Sequence, residues 1–268
     1  MRTRILLALL LLSPGCRSAT FEFPPFERRG IESHVRAHTE VDAERVAALG
    51  DRLIPQVRHI KGVVRSVPLV VLCREELPEN FAAACGESMV FLGPHSRRKE
   101  ASSLAHELSH WFRDETWERL PHALEEGLAE YVASLVVPVE SSIHMQAFVV
   151  ALPEDIGVEG FRSACEATFG AQADRTFEEE LRIRSIGLAA ASAIGVEPLR
   201  GLCERAAQEG FTKIPFEWIH KALPFPAEEP GSFRAAIRRR QIAIDRELDE
   251  ERANATTDAA PAIVPPSK

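Results

Sequence analysis

The chain has 268 residues, of which 45% are hydrophobic, and its formal net charge is −8. That apolar fraction is ordinary for a globular protein, so the composition excludes a chain that is disordered throughout. Its acidic balance, with only short basic runs, argues against a nucleic-acid partner, because phosphate binding needs a clustered basic face. The length allows one large domain or two small ones.

The N-terminus has the layout of an export signal. Two arginines precede an apolar run from Ile5 to Leu12, which at about eight residues is too short for a membrane span of roughly 20. The Gly15-Cys16 pair that follows this run resembles a bacterial lipoprotein signal. The resemblance implies that residues 1–16 are the signal and that Cys16 is acylated, which anchors an exported protein to the membrane of the cell envelope, facing the periplasm or exterior. An ordinary cleaved signal is the alternative.

If Cys16 is acylated, four cysteines remain, and an even number in an exported protein is compatible with disulfides. The simplest pairing joins Cys73 to Cys85 and Cys165 to Cys203, because each pair lies within one stretch of sequence. No two cysteines have the close spacing of a chelating pair, which disfavours a cysteine zinc site.

Hydrophobic periodicity predicts the elements that follow. Residues 17–40 have no helical or strand period and are interpreted as a tether, and residues 41–253 form the predicted domain. A helix over 41–60 precedes buried strands over 67–72 and 88–92. Glycine and proline then separate further predicted helices, over 97–114, 121–136, 142–152, 158–169, 176–194, 197–209, 215–222 and 231–253. Residues 254–268 are predicted to be a disordered tail.

The segment from His106 to His110, HELSH, carries the first chemical signal. Two histidines four residues apart point the same way from a helix and can bind one metal ion. Glu107 is then placed to accept a proton from a water molecule that the metal acidifies. The flanking apolar residues give this segment the stripe of an amphipathic helix. Taken alone, the motif also fits two ordinary core or surface histidines.

A catalytic zinc ion takes three protein ligands and leaves one position open, so a third donor is needed downstream. The segment over 121–131, PHALEEGLAEY, supplies carboxylates on a second predicted helix. Its distance from His110 along the chain leaves room for a loop and an antiparallel return. A lone acidic run would be interpreted as a solvated helix face, but its coupling to the histidine motif favours metal binding.

HELSHW followed by LEEGLAEY resembles the paired signature of the gluzincin peptidases, including the aminopeptidase N-like enzymes and the bacterial peptidase MA-like group. The resemblance covers about Val67 to Ile237. It implies a zinc ion held by His106, His110 and Glu126, with Glu107 as general base. It also implies an α+β zincin-like fold, with a small N-terminal mixed sheet, an active-site helix and a helical C-terminal portion.

Three further side chains are assigned from ligand chemistry and from the resemblance. Glu130, one turn beyond the third ligand, is predicted to orient His106, as an acidic residue does in gluzincins; the alternative is that it faces solvent. Glu125 is predicted to face water, and contact with a ligand histidine is the alternative. Aminopeptidase N-like enzymes bind the oxyanion with a tyrosine three residues before a glycine of the helical cap, and Arg184 before Gly187 stands at that place.

These residues predict hydrolysis of a peptide bond in a peptide or protein substrate. The strand from Met89 to Leu92 is predicted to be the sheet edge that binds the substrate, because a free edge offers backbone donors and acceptors. A rival interpretation is a zincin-fold binding or scaffolding lipoprotein that has lost turnover. Intact Glu107 argues against it, since a structural zinc site has no use for a general base.

Overall fold

The computed structural model describes residues 23–73, 83–86, 88–94, 99–167 and 176–258, and has the predicted α+β class. A five-stranded mixed sheet lies in the N-terminal part, and the remainder is mostly helical. The strands are β1 (Phe26–Arg29), β2 (His34–Ala37), β3 (Leu69–Leu72), β4 (Ala83–Cys85) and β5 (Met89–Leu92). The helices are α1 (Glu40–Lys61), α2 (Glu100–Trp111), α3 (His122–Val136), α4 (Pro138–Ala151), α5 (Gly157–Glu166), α6 (Phe177–Ile194), α7 (Val196–Gln208), α8 (Phe216–Ala222) and α9 (Ser232–Asp258), with a 3₁₀ turn at Trp117–Arg119.

The strand order is β1-β2-β3-β5-β4, in which β2, β3 and β5 run parallel and the two outer strands run antiparallel to their neighbours. This order corrects the expectation that Met89 to Leu92 forms the edge. β5 pairs on both sides, and β4 is the outer strand beside it. Helix α2 packs against both of these strands, so the sheet supports the helix that carries the histidine motif.

Strands β1 and β2 lie within residues 17–40, where the sequence predicted a tether. Every side chain of β1 is exposed, so this strand has no alternating pattern and is formed by backbone pairing with β2. The turn between them is fixed by Asp51, which accepts hydrogen bonds from the backbone N–H groups of Ile31 (2.9 Å) and Glu32 (2.8 Å) and from the Ser33 hydroxyl (2.7 Å). The conformation of this hairpin therefore depends on a carboxylate that is distant in sequence. The hairpin has no local hydrophobic period from which it could be predicted.

Capping residues stabilise the ends of helices α1 and α6. Thr39 caps α1 and Gly62 ends it in a left-handed conformation, while Thr176 and Glu179 form a capping box at the start of α6. Helix α9 continues to Asp258, five residues into the segment over 254–268 that was predicted to be disordered. The predicted signal, Cys16 and the rest of the tail lie outside the described residues.

Two contacts position α3, the helix that carries the predicted third ligand. Gly127 on α3 and Gly187 on α6 lie at a crossing so close that a Cβ atom on either would overlap the other helix's backbone. At the other end of α3, Arg240 of α9 donates to the carbonyl oxygen (2.9 Å) and to the hydroxyl (3.1 Å) of Ser134. Helix α3 is thus held by α6 along its length and by α9 at its C-terminus.

The predicted disulfides are not formed, since each of the four cysteines in the described ranges is a thiol. Cys73 directly follows β3 and Cys85 lies on β4, with β5 between the two strands. Two strand spacings separate them by about 10 Å, whereas disulfide-bonded Cα atoms lie at most about 7 Å apart. Cys165 and Cys203 are buried on separate helices, α5 and α7.

Within the described residues, no single helix has both the length and the apolarity of a membrane span. Helices α6 and α7 reach those values only when they are taken together, across a bend of 99°.

Candidate metal centre

Helix α2 presents His106 and His110 on one buried face, as their spacing predicts. The two Nε2 atoms lie 3.1 Å apart. Apolar side chains on the opposite face of α2, including Leu104 and Leu108, are fully buried in the core and fix its rotation. Both imidazoles therefore project from a rigid element toward one point.

Helix α3 brings Glu126 to the same point. Its Oε2 atom lies 3.5 Å from His106 Nε2, and its Oε1 atom lies 3.4 Å from His110 Nε2. Ligands at zinc-bond lengths in a tetrahedral arrangement are separated by about 3.3 Å. The three residues form a cluster that could hold a metal ion, since one ligand atom from each lies within 4.8 Å of the others.

The outer face of each imidazole meets a carboxylate. His106 Nδ1 lies 3.2 Å from Glu130 Oε1, at the place expected of an orienting residue. His110 Nδ1 lies 3.3 Å from Glu125 Oε1, which corrects the expectation that Glu125 faces water. Glu125 also pairs with Arg113, and it is mostly buried because the turn after α2 folds back over the start of α3.

The chemistry of the donor atoms shows whether a cation fits this cluster. A carboxylate beside each Nδ1 favours a proton on that nitrogen, which leaves each Nε2 as the atom that takes a metal ion or, in the metal-free chain, a shared proton. Two imidazole lone pairs 3.1 Å apart repel each other unless a cation or a shared proton lies between them. The ring nitrogens of His106 and His110 and an oxygen of Glu126 are also donors that suit zinc. The residues present therefore fit a divalent metal ion.

Arg184 reaches the cluster from α6. Its Nη2 donates to Glu130 Oε1 at 2.7 Å and lies 3.3 Å from His106 Nε2, and its Nε lies 3.3 Å from Glu126 Oε2. No hydrogen bond or ion pair joins Nη1 to a described residue, and 26% of the side chain is exposed. Two nitrogens of Arg184 therefore face the cluster: Nη2 forms a hydrogen bond, and Nε lies within ion-pair range of Glu126 without hydrogen-bond geometry.

Glu107 is buried beside the ligands, and its carboxylate forms no hydrogen bond or ion pair with another described residue. Burial raises the pKa of Glu107, while His106 and His110 act in the opposite direction. An unpaired buried carboxylate is costly, and such groups are concentrated at functional sites.

The other carboxylates are held in their charged form. Burial alone would raise the pKa of Glu130, but His106 and Arg184 lower it to about 2. The pKa of Glu126 is held well below its ordinary value, because His110 and Arg184 outweigh the effect of burial. The cluster therefore keeps a negative potential that favours a bound cation.

The same pattern holds on the other side of the site. Burial opposes ionisation of Glu125, but His110 and Arg113 lower its pKa to about 2. Neither the Arg113–Glu125 pair nor the Gly127–Gly187 crossing was predicted from the sequence. Only the glycine crossing had a sign in the sequence, because glycine is unusual inside a helical segment and can mark close packing.

The chain was also compared with known proteins. No model of a known protein family, no curated protein and no solved structure matches it, so a functional assignment depends on the geometry of the site.

Proposed function

We propose that the chain is a zinc-dependent peptidase with a zincin-like fold, in which His106, His110 and Glu126 hold the ion. The observation that carries this proposal is the convergence of ligand atoms from these three residues to within 4.8 Å of one another beside the unpaired carboxylate of Glu107. A purely structural zinc site would have four protein ligands and no need for such a group.

A zinc ion in this site supplies a Lewis acid that polarises water and the substrate carbonyl. Glu107 accepts the proton of the attacking water and delivers it to the leaving nitrogen. A pKa raised by burial makes Glu107 a stronger base than a solvated carboxylate and a competent acid afterwards. Glu130 and Glu125 keep the imidazoles oriented through their Nδ1 atoms.

The free Nη1 of Arg184 is the group that we assign to oxyanion binding. It belongs to a side chain anchored on Glu130, and a fixed cation beside developing negative charge lowers the barrier without further reorganisation. Strand β4 is the place that we assign to the peptide, since of the two outer strands of the described sheet it is the one beside β5, and α2 packs against it.

The N-terminal sequence supports a place in the cell envelope, with Cys16 as the acylated residue of a membrane-anchored lipoprotein. Peptides or proteins outside the cytoplasm are then the substrates. This part of the proposal depends on residues 1–16 alone.

The test is to purify the full chain, measure bound zinc, and compare cleavage of a random peptide library by the wild type and Glu107→Gln. We expect one zinc ion per chain in both proteins, and a loss of cleavage of about 10²- to 10⁴-fold in the variant. Zinc binding without cleavage by the wild type would support the rival, a binding or scaffolding protein. Absence of zinc would overturn the metal site itself.

A further inference from the structure

Arg184 lies against the metal-facing atoms of the site. Its Nη2 is 3.3 Å from His106 Nε2, the ring nitrogen that points at the metal position. Its Nε is 3.3 Å from Glu126 Oε2, an oxygen of the third ligand. A guanidinium group that only oriented Glu130 would have no reason to approach these two atoms.

The charges around the ligands explain this approach. Four carboxylates, those of Glu107, Glu125, Glu126 and Glu130, surround two imidazoles. Among the described residues, the permanently charged cations in contact with these carboxylates are Arg184 and Arg113. Two arginines offset two of the carboxylates, and a divalent ion offsets the other two. Before metal arrives, Arg184 is the permanent cation closest to the ligands.

We propose that Arg184 is an internal counter-cation that competes with the metal ion for His106 and Glu126 and so lowers the metal affinity of the site. The inference rests on the metal site of the proposed function but not on peptide cleavage. In the metal-free chain, Arg184 stabilises the ligand carboxylates. Metal binding at His106 requires Nη2 to withdraw from Nε2, because that nitrogen cannot face the guanidinium at 3.3 Å and bind a metal ion at the same time.

The contact between Arg184 and Glu130 lets the arginine give way to the metal ion without movement of its helix. At 2.7 Å it is the shortest contact that Arg184 makes, and Glu130 is not a ligand in the cluster. The guanidinium can therefore turn about Glu130 while α6 stays in place. The site exchanges its ion more readily than one with the same ligands and no adjacent cation.

The experiment measures zinc affinity by competition with a chromogenic chelator in the full chain. We expect Arg184→Gln to bind zinc about 10- to 100-fold more tightly, because a positive charge next to a divalent ion is removed at low effective dielectric. Arg184→Lys keeps the charge and should remain within about threefold of the wild type. Arg182→Gln is the matched control, since Arg182 is an exposed arginine on the same helix and should leave the affinity unchanged.

A zinc affinity in Arg184→Gln that is equal to or weaker than that of the wild type overturns the inference. Arg184→Met keeps an unbranched apolar stem without the charge and gives a second test with the same expected result if the glutamine variant does not fold. The melting temperature of the metal-free protein should fall in either variant, since the carboxylates lose their counter-cation. Zinc binding without peptide cleavage contradicts the peptidase and leaves this inference intact, whereas an unchanged affinity contradicts this inference alone.

Discussion

Gly127 on α3 and Gly187 on α6 meet with their backbones in contact. Arg184 lies one turn before Gly187, and Glu126 immediately precedes Gly127. The close crossing therefore brings the guanidinium of one helix onto the carboxylates of the other, at the distances seen for Glu126 and Glu130. A larger residue at either glycine would move the cation away from the ligands.

Gly187→Ala is expected to destabilise the chain by about 1–3 kcal/mol, because the new methyl group overlaps the carbonyl oxygen of Ala123 and the helices must separate. Urea unfolding measures the change. Gly201→Ala is the control, since a Cβ atom there meets nothing within 4 Å on an exposed face of α7. That variant should be neutral or more stable by about 0.5–1 kcal/mol. Equal effects at the two positions would show that the crossing is not tightly packed.

Glu130→Gln and Glu125→Gln should each weaken zinc binding by about 10- to 100-fold, because each carboxylate orients a ligand histidine through Nδ1. Chelator competition measures the affinity. Glu197→Gln changes an exposed carboxylate on α7 and should have no effect. If only one of the two variants weakened binding, the carboxylate at the other position would be shown to have no orienting role.

The metal-free chain should lose stability as the pH rises from about 6.5 to about 10. Burial alone would lower the pKa of His106, but Glu130 and Glu126 raise it to about 10. The folded pKa lies above the unfolded one, so this stabilisation is complete below about pH 6.5 and is lost as the pH approaches 10. Unfolding in urea with a chelator present, at several pH values, measures the loss.

The contribution of Lys61 to stability changes with pH in the opposite direction to that of His106. Burial lowers the pKa of Lys61 to about 7, so above that pH the unfolded chain binds more protons than the folded chain, and stability rises with pH. The matched comparison is therefore with Glu130→Gln, in which the Lys61 contribution is the same. The stability difference between wild type and variant should shrink as the pH rises. Parallel pH curves for the two proteins would contradict the role of Glu130 in raising the pKa of His106.

A reducing agent should leave the melting temperature unchanged, because the described cysteines are thiols. Burial raises the pKa of Cys85, Cys165 and Cys203 to about 12, which keeps them protonated and slow to react. Thiol titration should detect these groups only after unfolding. A disulfide contributes about 2–4 kcal/mol, so a fall of several degrees with reductant would show that a bond forms in solution.

The parts of the site that depend on one helix were predictable. His106 and His110 share a face because the helical period puts residues four apart on one side. Glu126 needed a second helix to return antiparallel, which loop length permits but does not require. Glu125 could not be assigned, since the neighbouring turn decides whether a carboxylate at the start of α3 meets His110 or water.

The fold was predictable to a similar degree. The 3.6-residue period located the helices that bury an apolar face, but β1 buries none and was missed. The position of β5 inside the sheet depends on β4, a strand of three residues with no period of its own. Long-range pairing of this kind leaves no local trace in a sequence.

The contact between Arg240 and Ser134 also bears on how the chain is made. The C-terminal end of α3 is closed by a residue that leaves the ribosome more than a hundred positions later. All three metal ligands and Arg184 are synthesised before that contact can form. The last helix therefore supports α3 only after all three ligands and Arg184 have been synthesised, and a chain that stops before residue 240 lacks this support.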